Sequence, residues 1–417
     1  MDVEPMSANI LSINSRSTQK NQLKKRRKFW LEVHLWLGLT AGMFLVLIGL
    51  TGSILVFWQE IDGMLNPQWL NVKSQKNEVF APPSVLAKST QTVLPKNPVI
   101  TWIEFPAHSE QALTLYYDKP SISIAGETDT WTLYIDPYTA KIKGTRLWYP
   151  ADYFSGMSFM ALIFKLHYAL LLKDYGVEFV GILAVLLIIS TLTGVILWWP
   201  LTGKWLKALT WKRKSSKARF NFDLHKLAGF YTCLIMLAVL LSGVYMNLGG
   251  YFKTVVEIFS PLTSSKSISP IALQNTVQSI SWGEAAQIVN SHYPEGQIKY
   301  ISPPGDKTGI YEVCKKHVAS LNRFVGYRCV HLDQYSGDII KVIDQTKGSA
   351  GDVFLQWLWP LHSGQAFGMT GRLLVLLSGI ACAVLYVTGV IRWLQKRKAT
   401  KLSKAKASRL STQFSRS

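Results

Sequence analysis

Four long apolar segments most constrain how this 417-residue chain can fold. A bilayer is crossed by about 20 residues of α-helix, and each segment is that long. They run roughly from Leu35 to Phe57, Val177 to Trp199, Leu227 to Leu248, and Leu373 to Leu394. The first is too long for the core of a signal peptide and is not followed by an A-x-A-like site, so we expect an uncleaved anchor. The sequence therefore predicts a membrane protein with four transmembrane helices.

The net charge of +20 is concentrated in three segments that flank the apolar ones. Seven Lys or Arg residues and three acids fall within 1–33, seven basic residues fall within 200–222, and nine fall within 392–417. Basic segments beside membrane spans tend to stay in the cytoplasm. Both termini and the 200–222 loop are therefore predicted to be cytoplasmic, and the polar regions 58–160 and 249–356 external. Because the charge flanks membrane spans, we predict the lipid bilayer as a partner and no nucleic acid.

Four histidines stand beside the apolar segments in a duplicated pattern of offsets. His34 and His225 each have one glycine four residues later and another 18 residues later; these are Gly38 and Gly52, and Gly229 and Gly243. His167 and His362 are each followed by a Thr-Gly pair at offsets 26 and 27. A repeated imidazole next to membrane spans indicates a functional ligand.

The expected depth of the histidines pairs them two by two. His34 and His225 begin spans just beyond cytoplasmic basic clusters, so both should lie near the inner face. His167 and His362 precede spans that run inward, so both should lie near the outer face. Four imidazoles split between two faces cannot form one tetrahedral zinc or copper site, whereas two imidazoles per level suit bis-histidine ligation of a haem. The sequence therefore predicts two haem b groups, held by an inner pair (His34 and His225) and an outer pair (His167 and His362); the chain has no C-x-x-C-H motif for covalent haem.

The glycines of the pattern are predicted to make room for these flat rings. An offset of 18 residues is about five helical turns, so Gly52 and Gly243 share a helix face with His34 and His225. Only a residue without a Cβ lets a ring press against helix backbone. Arg372, at the start of the fourth span, is a candidate partner for a propionate of the outer haem, with interfacial anchoring as the alternative.

The polar regions carry β-sheet signals. WTLYIDPYTAKIKG and RCVHLDQYSGDIIKV each read as a strand, a turn built on an aspartate (Asp136 or Asp333), and another strand. Cys314 and Cys329 fall on two β-rich runs that could pair about a turn near 320–322, and whether they form a disulfide is left open. Two shorter apolar stretches before His167 and His362 are predicted to be interfacial helices, broken near 173–176 and 364–371, and the Ser/Lys-rich ends, 1–20 and 399–417, are predicted to be disordered.

The motifs together resemble the PepSY-associated transmembrane proteins, bacterial inner-membrane proteins of iron uptake. The resemblance rests on HLWLGL (34–39), LHYALLLKDYG (166–176), LHKLAGF (224–230) and LHSGQAFGMTGR (361–372), and on a PepSY-like SWGEAAQIVNSHYP (281–294). Some members are ferric-siderophore reductases with two b-type haems in four spans, which by position implies the same four histidines here.

The resemblance implies a mainly α membrane protein, with a four-helix transmembrane bundle from two tandem repeats and two α+β PepSY-like periplasmic lobes. The predicted segments are a basic cytoplasmic tail (1–28), a first span (29–57), lobe 1 (58–155), an interfacial helix (156–176), a second span (177–199), a basic cytoplasmic loop (200–222), a third span (223–248), lobe 2 (249–351), an interfacial segment (352–370), a fourth span (371–394) and a basic tail (395–417).

The function implied is a ferric-siderophore reductase of the inner membrane. A cytoplasmic donor or quinol would supply electrons, and a ferric siderophore would accept them on the periplasmic side. Two alternatives stay open: a PepSY-type membrane regulator without haem, and a cytochrome b subunit of another periplasmic oxidoreductase.

Overall fold

The computed structural model describes residues 6–73, 79–95, 98–200, 203, 205–212, 216–263, 278–317 and 326–414. The chain divides into two compact units. The helical unit combines Met1–Ser53, Asp174–Leu248 and Leu373–Ser417, and the sheet unit combines Ile54–Lys173 and Gly249–Arg372.

Four long helices make up most of the helical unit. They are α1 (Met6–Leu55), α6 (Lys173–Trp198), α8 (Lys217–Asn247) and α12 (Gly368–Phe414), with the short α7 (Trp205–Ala208) between α6 and α8. Each long helix contains an apolar stretch long enough to cross a membrane. The four spans predicted from the sequence are thereby confirmed.

The ends of the chain differ from their prediction. We expected disorder in 1–20 and 399–417, but α1 is helical from Met6 and α12 continues to Phe414. Residues 6–20 and 399–414 contain no glycine or proline, and their Lys, Arg, Gln, Ala and Leu residues favour helix. The predicted disorder was therefore wrong for these residues, because helix propensity outweighs their polar composition.

Small residues bring α1 and α12 close together. A Cβ on Gly49 would lie 2.9 Å from the carbonyl oxygen of Gly379, and a Cβ on Gly379 would collide with the backbone of Gly49. The Ser53 hydroxyl donates a hydrogen bond to Leu376 O at 2.9 Å. Close approach through small residues is a common way for membrane helices to pack.

Two further hydrogen bonds join the long helices in pairs. One helix of each pair carries a histidine, His34 on α1 and His225 on α8. Arg27 on α1 donates to Leu197 O of α6 at 2.7 Å. Asn221 on α8 donates its side-chain amide to Thr388 O of α12 at 2.9 Å. Helix α1 is thus tied to α6, and α8 to α12.

Within the described residues, the sheet unit contains eight strands and seven α-helices. The strands are β1 (Val99–Glu104), β2 (Leu113–Pro120), β3 (Thr128–Ile135), β4 (Ile142–Tyr149), β5 (Gln297–Ser302), β6 (Ile310–Lys316), β7 (Tyr327–Asp333) and β8 (Ile339–Asp344). The helices are α2 (Trp58–Leu65), α3 (Pro67–Leu70), α4 (Pro83–Thr90), α5 (Phe159–Ala169), α9 (Gly249–Glu257), α10 (Trp282–His292) and α11 (Ala350–His362).

All eight strands form one antiparallel sheet in the order β4-β3-β2-β1-β5-β6-β7-β8. The polar regions were predicted as two lobes, and each contributes four strands. They meet where β1 pairs with β5, with Ile103 opposite Ile301. An unpaired edge strand exposes a row of backbone donors and acceptors, and the pairing of β1 with β5 removes two such edges. The sequence pattern of the individual strands does not reveal this pairing.

One face of this sheet is covered by α4 and α10. Leu86 of α4 and Trp282 and Val289 of α10 pack in a buried core with the central Ile103 and Ile301. On β4, Arg146 forms a bidentate ion pair with Asp62 of α2, with N–O distances of 2.8 and 2.7 Å. This buried pair anchors α2, the helix that follows α1 in the chain.

The two predicted aspartate turns are confirmed. Asp136 Oδ1 accepts hydrogen bonds from the backbone N–H groups of Tyr138 and Thr139, between β3 and β4. Asp333 Oδ1 accepts from Tyr335 and Ser336, between β7 and β8. The same side-chain chemistry therefore closes the same hairpin in both halves of the sheet.

Cys314 and Cys329 form a disulfide across β6 and β7. The two residues are directly paired in the ladder, with Cα atoms 4.1 Å apart. The connecting turn predicted near 320–322 lies outside the described residues. Glu312 stands close to both sulfurs, but a bonded pair of cysteines offers no thiolate to a metal.

The disulfide should contribute measurably to stability. Replacing both cysteines with alanine is expected to lower the free energy of unfolding by about 3 kcal/mol, because the bond closes a loop with a sequence separation of 15. Thermal unfolding with and without a phosphine reductant checks this, and the double variant should no longer respond to reductant. Equal melting temperatures for oxidised and reduced wild type would contradict it.

The two short helices predicted to be interfacial, α5 and α11, end abruptly. The break after α5 begins at Leu170 and extends to Lys173, with left-handed φ angles of 49° at Leu170, 61° at Leu171 and 54° at Lys173. It therefore starts three residues before the predicted 173–176 and reaches its first residue. After α11, the break lies within the predicted 364–371. A Cβ on Gly364 (φ 75°) would lie 2.6 Å from Gly371 O, so only glycine fits there.

Candidate functional site: two histidine pairs

The structure brings the inner pair together inside the helical unit. His34 on α1 and His225 on α8 have ring centres 6.3 Å apart and ring planes 80° apart. Each histidine lies near the basic segment of its helix in the sequence. Both rings are half-buried.

The outer pair comes together inside the sheet unit. His167 in the last turn of α5 and His362 at the end of α11 have ring centres 6.0 Å apart and planes 67° apart. Each ring is therefore held by a short helix that ends within a few residues.

Both separations match two imidazoles on opposite sides of one metal ion. Two Fe–N bonds of about 2.0 Å, plus about 1.1 Å from each nitrogen to its ring centre, give roughly 6 Å. Aromatic pairs in general also lie about 4.5–7 Å apart, so the distance alone does not distinguish a metal site from ordinary ring packing. The hydrogen bonds of the ring nitrogens make that distinction.

The inner pair makes hydrogen bonds of this kind at Nδ1. His34 Nδ1 lies 2.9 Å from Ser190 O and 3.3 Å from Thr193 Oγ1. A backbone carbonyl only accepts, so Nδ1 must carry the proton and donate it. The lone pair is then on Nε2, which is the tautomer that ligates a metal.

His225 reaches the same tautomer through a different acceptor. Its Nδ1 lies 2.9 Å from Thr388 Oγ1, and the Leu385 carbonyl lies near the same ring. The Thr388 hydroxyl already donates its hydrogen to Val384 O at 2.6 Å. It therefore accepts from His225 Nδ1 and leaves the lone pair on Nε2.

Two glycines next to these threonines pack against the inner rings. A Cβ on Gly194 would lie 3.1 Å from His34 Cε1, and a Cβ on Gly389 would lie 3.4 Å from His225 Cε1. The Thr-Gly pairs were visible in the sequence as a repeated offset after His167 and His362. Their actual partners, the histidines of the other pair, were missed because the offset crosses the breaks after α5 and α11.

The four glycines predicted to face the rings lie on the histidine helices. A Cβ on Gly38 would meet no described protein atom within 4 Å, and one on Gly229 would meet only Leu385 Cδ2, at 3.5 Å. Packing among the described residues thus does not require glycine at these two positions, and their predicted role beside a ring stays a prediction. Gly52 and Gly243 are half-buried in α1 and α8.

Arg372 is held by α2 and the residues before it. Its guanidinium donates to Val56 O through Nε and Nη2, at 3.2 and 2.8 Å, and Nη2 pairs with Glu60 at 2.6 Å. It also lies 4.2 Å from the ring of Phe57. Nε and Nη2 are thus occupied, and Nη1 is the guanidinium nitrogen that the predicted contact with a propionate would use.

The donor set fits haem better than a bare metal ion. Protein zinc sites use three or four side-chain ligands. Among the described residues, neither histidine pair belongs to a cluster of three or more ligating side chains; the cluster found is that of Glu312 and the two bonded cysteines. Two axial imidazoles suit a metal whose other ligands come from a macrocycle.

Four apolar helices and a large antiparallel sheet define a multi-pass membrane protein. The chain matches the family described as the PepSY-associated TM region over residues 31–396, and it belongs to that family, as its histidine motifs predicted. No match was found among curated proteins.

Proposed function

We propose that the protein is a di-haem b ferric-siderophore reductase of the bacterial inner membrane. The observation that carries this is the grouping of four histidines into two pairs with bis-imidazole spacing, 6.3 and 6.0 Å between ring centres. When bound, two haem b groups supply one-electron transfer from a cytoplasmic donor or quinol to a ferric siderophore outside.

The side chains around the histidines have distinct tasks in this proposal. Thr193 and Thr388, with the Ser190 carbonyl, hold the inner imidazoles in the ligating tautomer. Gly38 and Gly229 would leave space for a ring along the helix. Arg372 would meet a propionate through Nη1, since its Nε and Nη2 already bond to Val56 O and Glu60.

The basic segments set the proposed orientation. With 1–33, 200–222 and 392–417 in the cytoplasm, the sheet unit lies in the periplasm. A disulfide between Cys314 and Cys329 is compatible with that oxidising compartment.

Iron release follows from the chemistry of the substrate. Siderophores bind Fe(III) through hard, charged oxygens, and one-electron reduction to Fe(II) lowers the charge of the ion and its affinity for them. The periplasmic sheet would provide recognition, and the released Fe(II) would be free for uptake.

We also infer that the chain is a tandem repeat. Thr193-Gly194 and Thr388-Gly389 are 195 residues apart, and the aspartate turns are 197 residues apart. The strand order is symmetric about the β1–β5 junction, with four strands of each half on either side. One histidine of each pair comes from each half.

Stopped-flow reoxidation tests the proposal. Dithionite-reduced protein should be reoxidised by a ferric siderophore and not by its gallium(III) analogue, which accepts no electron. A haem-free preparation would favour the regulator. Reduced haem protein that is not reoxidised by ferric siderophore but is reoxidised by a co-purified partner would favour the cytochrome b subunit. Either outcome would overturn the reductase.

The hydroxyl of Thr388 gives a separate prediction. Thr388→Val should weaken haem binding at the inner pair by about 10–100-fold, the usual effect of losing a hydrogen bond to a ligating histidine. Thr388→Ser keeps the hydroxyl and should bind as wild type. Thr193→Val should have a smaller effect, because Ser190 O still accepts from His34. Haemin titration of apoprotein measures all three. Equal affinity for the Thr388→Val and Thr388→Ser variants would contradict the role of the Thr388 hydroxyl in holding His225.

A further inference from the structure

A lysine surrounded by tyrosines lies beside the outer pair. Lys165 is two residues before His167 on α5. Its Nζ lies 4.4, 4.9 and 5.3 Å from the ring centres of Tyr149, Tyr153 and Tyr168, and it donates a hydrogen bond to Tyr153 Oη at 3.3 Å. These four residues are called the Lys165 cluster.

The Lys165 cluster holds a positive charge without a carboxylate. Among the described residues, no carboxylate oxygen lies within the 4.0 Å ion-pair distance of Lys165 Nζ, whereas Arg146 is paired with Asp62 and Lys173 with Glu127. The hydrogen-bond partner of Lys165 Nζ is a hydroxyl, that of Tyr153, and not a carboxylate. A lysine side chain is ordinarily cationic at neutral pH.

A half-buried charge of this kind suits an anionic ligand. Partly buried cations are normally paired, and phenol rings and hydroxyls do not neutralise an ammonium group. The three rings also offer faces and edges on which an aromatic ligand can pack. The geometry favours a ligand that is both negatively charged and aromatic.

The position of the cluster relates it to electron transfer. Lys165 and His167 are two residues apart and so project to roughly opposite sides of α5, which is about 10–12 Å across with its side chains. A ligand held by Lys165 would be separated from the outer pair by one helix.

We propose that the Lys165 cluster binds the catecholate rings of an anionic ferric chelate. This rests on the proposed reductase function and narrows its substrate class. In a tris-catecholate complex the phenolate oxygens outweigh the ferric ion, so the complex is anionic and aromatic; a tris-hydroxamate complex is neutral and lacks the rings. Haem propionates and lipid phosphates share the anionic oxygens but not the rings.

Binding of gallium(III) tris-catecholate to the full-length protein tests this without any electron transfer. Lys165→Met should weaken binding at least about tenfold, in line with the loss of a charge-assisted hydrogen bond, and Lys165→Arg should restore most of it. Lys119→Met is a matched control, because Lys119 also lies over an aromatic ring, 4.1 Å from the centre of Trp131. Gallium(III) tris-hydroxamate should bind more weakly than the catecholate.

Haem content measured on the same samples separates the two proposals. Wild-type protein without haem would overturn the reductase. Haem-replete Lys165→Met that binds gallium catecholate as tightly as wild type would overturn the catecholate site alone. Loss of haem in Lys165→Met with unchanged gallium binding would assign Lys165 to a propionate, and equal loss of binding to phosphate-rich vesicles would assign it to lipid; both contradict the proposal.

Discussion

Purified His225→Ala protein is expected to carry one haem per chain instead of two. The substitution removes one of the two imidazoles that would hold the inner haem, and His34, whose ring centre is 6.3 Å from that of His225, would not hold it alone. The outer pair belongs to the sheet unit and does not share these ligands. The Soret absorbance per chain should therefore fall by about half.

His34→Ala should give the same result, since both histidines of the inner pair are needed to bind the inner haem. His292→Ala is a suitable control, because His292 is exposed at the end of α10 with its Nδ1 near Ile288 O. If either inner variant lost all haem, or lost none, the pairing of His34 with His225 would be wrong.

Replacing His362 with alanine should abolish reduction of ferric siderophore while leaving an inner haem that dithionite still reduces. His362 and His167 are the proposed ligands nearest the external acceptor in the proposed orientation, so their loss would remove the last electron carrier. Stopped-flow reoxidation and the residual absorbance report the two properties on one sample. His167→Ala should behave alike.

The outer-pair variants distinguish the proposed delivery of electrons to the acceptor from haem binding at the inner pair. An outer-pair variant that still passes electrons to a ferric siderophore at the wild-type rate would contradict the proposed direction of transfer. The His317→Ala variant controls for general damage to the sheet unit, because His317 is buried beside Asp344, 3.3 Å away, and is not a proposed ligand.

Much of the helical unit could be predicted from the sequence, because hydropathy and helix length fix a membrane span almost independently of tertiary structure. The aspartate turns were predictable for a similar reason, since Asp136 and Asp333 bond to backbone groups two and three residues later. The grouping of the histidines into pairs was predictable from the expected depth of each histidine in the membrane. That depth was inferred from the basic segments and from the direction of each span.

Features that depend on contacts between distant segments were not predictable in the same way. The β1–β5 junction joins residues almost 200 positions apart. The threonines that bond the inner histidines are 159 and 163 residues from them. Their offsets were visible, but the helical phase is lost at Leu170 and Leu171, where positive φ angles interrupt the helix. The Glu60 partner of Arg372 is likewise set by the fold of α2.

The most direct test is the haem-to-chain ratio of wild-type protein purified from haem-replete cells, measured by pyridine haemochrome against amino-acid analysis. The account predicts two b-type haems for each polypeptide, with low-spin bis-imidazole spectra. A colourless preparation, or one in which bound haem is unaffected by alanine at all four histidines, would contradict it.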